Sequence, residues 1–364
     1  MSYGTSMPST MKAEKQDDGL VRRVQVTGRG SYIVSIPKNW VKEAGLTKGA
    51  QIEFSAQQNR GLLLTPFNGH RQDLERSKCA LTLPNNADAD SVMRKIISLY
   101  VVGYSIIEIS SQSGNLAPSV RDIIRELARQ KLVGTEVVTE SSRTATLQVL
   151  LSYPQLLVPD ALRRMSSIMS SMQQDAMDAL SKLDRELAKQ VAKIDDEIDR
   201  FSLYIIRQLK WAVQHPMLIG RVGLESPVEC LGYRIVTKTI ERSADHATRV
   251  AQSSLSIEKP LSSILLKDMN TLGQYSSKMM DNALRSLYTN DYELAERVLT
   301  DKDKVTTLES KLVERVLKEK MAASELAAVT LISESLRRIG EYASDVAEVV
   351  LNLAVTKSIV ELSD

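Results

Sequence analysis

The chain has 364 residues, enough for two or three domains, and its 47 basic and 45 acidic residues leave a net charge of +2, so polyanion binding is decided by local clusters rather than by overall charge. Its two distant cysteines, Cys79 and Cys230, exclude a disulfide framework and a CxxC metal site. No apolar run reaches the roughly 20 residues that span a bilayer, and no basic-then-apolar signal opens the chain, which predicts a cytoplasmic protein without membrane insertion.

Residues 1–19 are polar, rich in Ser, Gly and charge, and without apolar period, so they are expected to form a flexible tail. Residues 20–68 change character. The short runs VRRVQVTG, SYIVSIP, IEFSA and LLLTP are separated by glycine-bearing stretches, the pattern of four strands. Pro37 stops the second strand and suits a first helical turn, and Gly45 closes the short helix that follows. So small a unit, with no cysteine in it, buries too little apolar surface to be secure alone and predicts a homodimer. Between residues 20 and 50 its charge is lopsided: Arg22, Arg23, Arg29, Lys38, Lys42 and Lys48 stand against only Glu43. Val24 and Val26 alternate with Arg23 and Gln25, which sets Arg23 on the face opposite Val24, and Arg29 lies in a Gly-flanked loop with freedom to reach a phosphate. Such a basic face binds DNA in a salt-dependent way, or is only solvated.

The V-R-x-V opening, the SIPKxW step, the G-L-x-K-G turn and the closing LLLTP make residues 21–66 resemble the AbrB/SpoVT DNA-binding family in its archaeal form. That resemblance implies a swapped-hairpin homodimer on double-stranded DNA, with DNA-contact roles for Arg22, Arg23, Arg29 and Lys38. The TGRGSY loop is longer than the family's pattern.

Residues 74–152 read as β-α-β-α-β-β, with helical spacing of Val92, Ile96 and Leu99 and of Ile123, Ile124 and Leu127, hence an α+β connector domain. From residue 155 the period becomes 3.6 throughout, and six helices are expected at 160–182, 184–213, 226–256, 260–289, 291–318 and 322–357. ERSADHATRVAQ in the third aligns with RRIGEYASDVAE in the sixth, 96 residues later, and IDDEIDRFSLYI in the second aligns with DKDKVTTLESKL in the fifth. Two three-helix repeats, 155–258 and 259–360, follow.

Glu241 and Asp245 stand at i and i+4, on one helix face and about 5–6 Å apart at Cβ. Asp195 and Asp199 repeat that spacing on the preceding helix. Four oxygen donors on facing helices suit a hard or borderline cation; a salt-bridged, solvated face is the alternative. The D/E-x-x-x-D pairs and the run Glu241-Arg242-Ser243-Ala244-Asp245-His246-Ala247-Thr248 make residues 155–360 similar to the PhoU family of phosphate-signalling regulators. The resemblance implies metal-ligand roles for Asp195, Asp199, Glu241 and Asp245, the ion being divalent or trivalent (iron, zinc or magnesium), and a phosphate ABC transporter or signalling protein as partner. The second repeat departs from the pattern, with Lys302, Thr306, Arg337 and Glu341 at the matching positions, so ion pairing is expected there in place of metal, and Glu341 with Asp345 as a solvated face. His246 points away from Asp245 around the helix and is expected at the surface or behind the ligands. No catalytic triad or phosphate-cradling glycine loop is present, so a non-enzyme is expected: a transcription regulator of phosphate uptake. A transporter adaptor without DNA binding, or a metal-dependent phosphoesterase, is the rival.

Overall fold

Pro37, with extended backbone at ψ 132°, and Gly45, in the left-handed region at φ +63°, bracket a short helix in the N-terminal segment. The structure is a computed structural model that describes residues 21–28, 30–56, 61–67, 77–112, 114–150 and 156–358. Two compact units, 1–71 and 72–364, divide the chain.

In the first unit β1 (Gln25–Thr27) pairs antiparallel with β2 (Ser31–Ile33), α1 spans Lys38–Glu43, and β3 (Ile52–Ala56) pairs antiparallel with β4 (Leu62–Pro66). Val26 sits opposite Tyr32, and Phe54 opposite Leu64. The first strand is shorter than the VRRVQVTG run, because residues 21–24 stay outside the ladder. None of the residues described in this unit is buried. The expected tail and Arg29 lie outside the described residues.

The second unit begins with the expected α+β order: β5 (Lys78–Leu83), α2 (Ala89–Val102), β6 (Ile106–Ser111), α3 (Pro118–Glu126), β7 (Thr135–Glu140) and β8 (Thr144–Val149). The sheet runs β5-β6-β8-β7, with β5 and β6 parallel and the other pairs antiparallel. Val92, Ile96 and Tyr100 of α2 and Val120 and Ile124 of α3 bury against Ile107, Ile109 and Leu147 of the sheet. Asp88 accepts from the Ser91 amide at 3.0 Å and so starts α2. Past Glu126 the helix widens into a π turn, Leu127–Lys131.

Among the described residues seven α-helices, not six, complete the unit: α4 (Val158–Lys182), α5 (Arg185–Gln214), α6 (Glu229–Ser254), α7 (Ser263–Thr289), α8 (Tyr292–Thr300), α9 (Lys302–Val316) and α10 (Ala323–Ser358). Asp184 caps α5 by accepting from the amides of Glu186 and Leu187 at 3.1 and 2.9 Å. The expected fifth helix is broken at Asp301, where the Thr300 hydroxyl donates to the Arg297 carbonyl at 2.8 Å and competes with the backbone ladder. The core is aliphatic and methionine-rich, with Met165, Met169, Met172, Met269 and Met280 fully buried. α4, α5 and α6 pack on one another, and α10 packs on α6, α7, α8 and α9. A Cβ on Gly340 of α10 would lie 2.9 Å from Val305 and 3.1 Å from Ser276, so glycine there is what admits α7 and α9 so close.

One buried arginine joins the α+β part to the bundle. Arg207 of α5 donates to the carbonyls of Tyr100, Gly103 and Tyr104, the last two at 3.0 Å, where α2 ends and its carbonyls lack helical partners. Its guanidinium also lies 4.8 Å from the centre of the Tyr100 ring.

Candidate carboxylate site and basic surface

Asp195 and Asp199 lie on α5, and Glu241 and Asp245 on α6, the helix packed beside it. The two pairs sense each other. Burial, then the charges of Asp245, Asp199, Asp196 and Glu241, push the Asp195 carboxyl up to about 6. Asp245 is pushed up to about 6 by burial and then by Glu241 and Asp199, with Lys238 and Arg249 opposing. Asp199 is raised by burial and by Glu241. The four carboxylates predicted from spacing are therefore brought together on one electrostatic face.

Two lysines guard that face. Lys131, at the end of the π turn, pairs with Asp196, and Lys238 pairs with Glu241 three residues along α6. Lys238 was legible from its i, i+3 spacing. Lys131 was not, because it comes from the α+β part and only tertiary packing brings it there. Among the described residues no three His, Cys, Asp or Glu side chains are grouped so as to hold a metal ion. Burial and neighbouring carboxylates disfavour the ionised forms of Asp195, Asp199 and Asp245, an imbalance that added positive charge relieves.

In the second repeat arginine supplies that charge. Arg337 pairs with Glu309 at 3.1 Å and with Glu341, and Arg338 reaches the other Glu341 oxygen at 3.0 Å. Glu341 is thus held in a network, not on the solvated face expected from sequence. Lys302, at the first residue of α9, is replaced in the neutralising role by Arg338, and Glu309 is a member that sequence alignment between the repeats did not reveal. Lys302 instead acts at longer range on Asp345, whose carboxyl is raised by burial and by Glu348.

His246 corrects another expectation. It is buried, its ring centre 5.7 Å from that of Tyr342, and burial with the nearby Arg249 and Arg338 pushes its pKa down to about 4. The imidazole is neutral across the physiological range and belongs to the α6–α10 contact.

The basic residues predicted for DNA contact stand in the N-terminal unit. Arg22 and Arg23 are exposed on the extended segment leading into β1, and Lys38 is exposed at the first residue of α1.

Comparison with known proteins agrees with this division. The PhoU domain model matches residues 162–254 and again 269–350, and the model of the MazE antitoxin, described as antidote-toxin recognition, matches residues 25–71. The chain is 23% identical over 212 residues to the phosphate-specific transport system accessory protein PhoU homolog 1 of Thermotoga maritima, covering 56% of this chain and 89% of that protein. It is 26% identical over 204 residues to a PhoU homolog of Pseudomonas aeruginosa, covering 53% of this chain and 80% of the relative. Crystal structures of PhoU from Pseudomonas aeruginosa (23% identity, TM-score 0.46, 55% of this chain and 96% of that one) and from Streptococcus pneumoniae (16%, 0.48, 57% and 96%) also align. No helix described here is long and apolar enough to cross a membrane. The helical half thus carries two matches to the PhoU domain, and the N-terminal unit is MazE/AbrB-like.

Proposed function

We propose that the chain is a DNA-binding regulator of phosphate homeostasis: a dimeric N-terminal unit grips duplex DNA through Arg22, Arg23, Arg29 and Lys38, and the PhoU pair reports phosphate status through a transport or signalling partner. The observation that carries this reading is the joining of exposed basic residues in a MazE/AbrB-like unit to two PhoU domains in one chain. The relatives are named as accessory proteins of phosphate-specific transport, which supports a binding role over catalysis. Dimerisation is supported by the N-terminal unit itself, which leaves Tyr32 76% and Phe54 61% exposed, apolar surface that a second copy would cover. A divalent or trivalent ion would be held by Asp195, Asp199, Glu241 and Asp245, and would supply positive charge to a face that otherwise repels itself. Ion or partner binding then alters operator affinity by favouring one spacing of the two basic faces over another.

The test is fluorescence anisotropy of the full chain on duplex DNA across a salt series. Wild-type affinity is expected to fall steeply with salt, and Arg22→Ala, Arg23→Ala and Lys38→Ala each to reduce the slope by about one counterion. Absence of DNA binding at low salt would sink the regulator and leave the transporter adaptor, the reading that the relatives' names favour.

A further inference from the structure

Helices α6 and α10 run side by side and antiparallel. A Cβ on Gly232 would come within 3.2 Å of Leu353, and about four turns on His246 lies beside Tyr342. Between these two levels runs a groove of about 550 Å³, with Arg234, Lys238 and Arg242 on its α6 wall and Asp345, Glu348 and Asn352 on its α10 wall. The walls carry opposite charge, and Asp345 feels Arg242 across the groove without closing a salt bridge to it. Lys238 is turned to Glu241 on its own helix, and among the described residues Arg234, Arg242, Asp345 and Glu348 form no salt bridge. The same α6 face continues toward its N-terminus as apolar surface, with Val228 70%, Leu231 69% and Ile235 50% exposed. One isolated apolar side chain on a surface is ordinary; three on one helix face, beside opposed charge that meets across the groove only at longer range, are a patch that wants a partner.

We propose that this face is an interface with a second copy of the chain, in which each Arg242 meets the partner's Asp345. A twofold axis lying along the groove, parallel to both helices, swaps left for right and keeps height unchanged. Each α6 is then laid over the partner's α10, so the basic wall of one copy meets the acidic wall of the other in both halves of the interface, as isologous pairing requires. Register needs little adjustment, because Gly232 lies beside Val349 and Leu353 and His246 beside Tyr342, which sets Arg242 near Asp345, a residue that feels its charge within one chain. The apolar end of α6 is laid at the same time against the C-terminal part of the partner's α10, near Leu353. The stretch from Val228 to Arg242 is about 21 Å long at 1.5 Å per residue, longer than a small zwitterion covers. A foreign helix would have to offer both charges at these heights and an apolar end besides, all of which this chain's own face supplies. Exposed ion pairs give register and salt dependence, and the apolar end gives most of the affinity. This interface is separate from the N-terminal unit and does not rest on DNA binding.

The test uses full-length chains. Arg242→Cys and Asp345→Cys are expressed singly and together, oxidised, and resolved on a denaturing gel, with mass spectrometry of the linked peptides. Neither single variant can form the 242–345 disulfide, and no chain in the co-expressed sample carries both cysteines, so that bond reports only contact between copies. The expected result is a 242–345 linked dimer, at least tenfold above background, in the co-expressed sample alone. Lys238→Cys with Glu348→Cys, treated the same way, keeps the question answerable if one of the first variants folds badly. A co-expressed sample with no linked dimer above the single variants for either pair overturns the proposal and leaves the groove to a small zwitterion or another protein's helix.

Discussion

Asp195 and Asp245 carry a pH signature that follows from their neighbours. Each has a folded-state pKa of about 6, above the ordinary aspartate value of about 4 in an unfolded chain. Between those values these two groups bind more protons in the folded chain than in the unfolded one, so their contribution to stability rises as pH falls from about 6 toward 4 and is least favourable at neutral pH and above. Asp245→Asn removes a charge that is disfavoured where it sits. In chelator-treated protein at pH 7.5 it is expected to raise the thermal midpoint by about 2–4 °C, roughly 1 kcal/mol once solvent screening of a half-exposed group is allowed for. The same substitution should leave the midpoint unchanged at pH 4, where the carboxyl is already protonated. A fall in the midpoint at pH 7.5, read by circular dichroism, would mean that the face is not self-repelling. In the second repeat the matching problem is solved inside the chain, since Arg337 stands where Glu241 stands in the first and cannot dissociate. Spacing revealed the carboxylate pairs because i and i+4 are neighbours on any helix. It could not reveal Lys131 or Glu309, whose roles depend on which helix packs beside which.

Elements were legible where period and cap agreed. α2 and α5 begin at Asp88 and Asp184, whose side chains accept the first free amides, and both boundaries were readable to within a residue or so. The division of α8 from α9 was not, because the apolar period continues across Asp301 and the interruption comes from a threonine hydroxyl bonding back to the main chain. The junction between the α+β part and the bundle was also hidden, since nothing in the 3.6 period of α5 marks Arg207 as inward-facing. Arg207→Met keeps much of the apolar stem and removes every donor, leaving the carbonyls of Tyr100, Gly103 and Tyr104 without that partner. The expected cost is about 2–4 kcal/mol, seen as a lower urea midpoint, together with faster amide exchange at the C-terminal turn of α2. Unchanged exchange there would show that other contacts hold the junction.

At the scale of the molecule, the alternation of β-runs, the mixed α+β order and the change to a 3.6 period marked out the architecture in advance. Where the N-terminal unit hides its apolar side chains could not be read, because surface on one chain says nothing of what covers it. Val26, Tyr32 and Phe54 are all exposed there, so the unit should gain its stability from association. In calorimetry of the full chain its transition is expected to move to higher temperature as protein concentration rises, as mass action requires of a dimer. A transition independent of concentration would mean that the unit folds alone. The longest element, α10, has a mechanical consequence. Its 36 residues span about 54 Å, and it is packed along its length by α6, α7, α8 and α9. A rod of that length works as a lever: a tilt of about 2° at one end carries the other through about 2 Å, enough to repack a contact. A disturbance among the α6 carboxylates, passed through His246 and Tyr342 near the middle of α10, would thus reach helix ends about 24–28 Å away, where a 2° tilt amounts to about 1 Å.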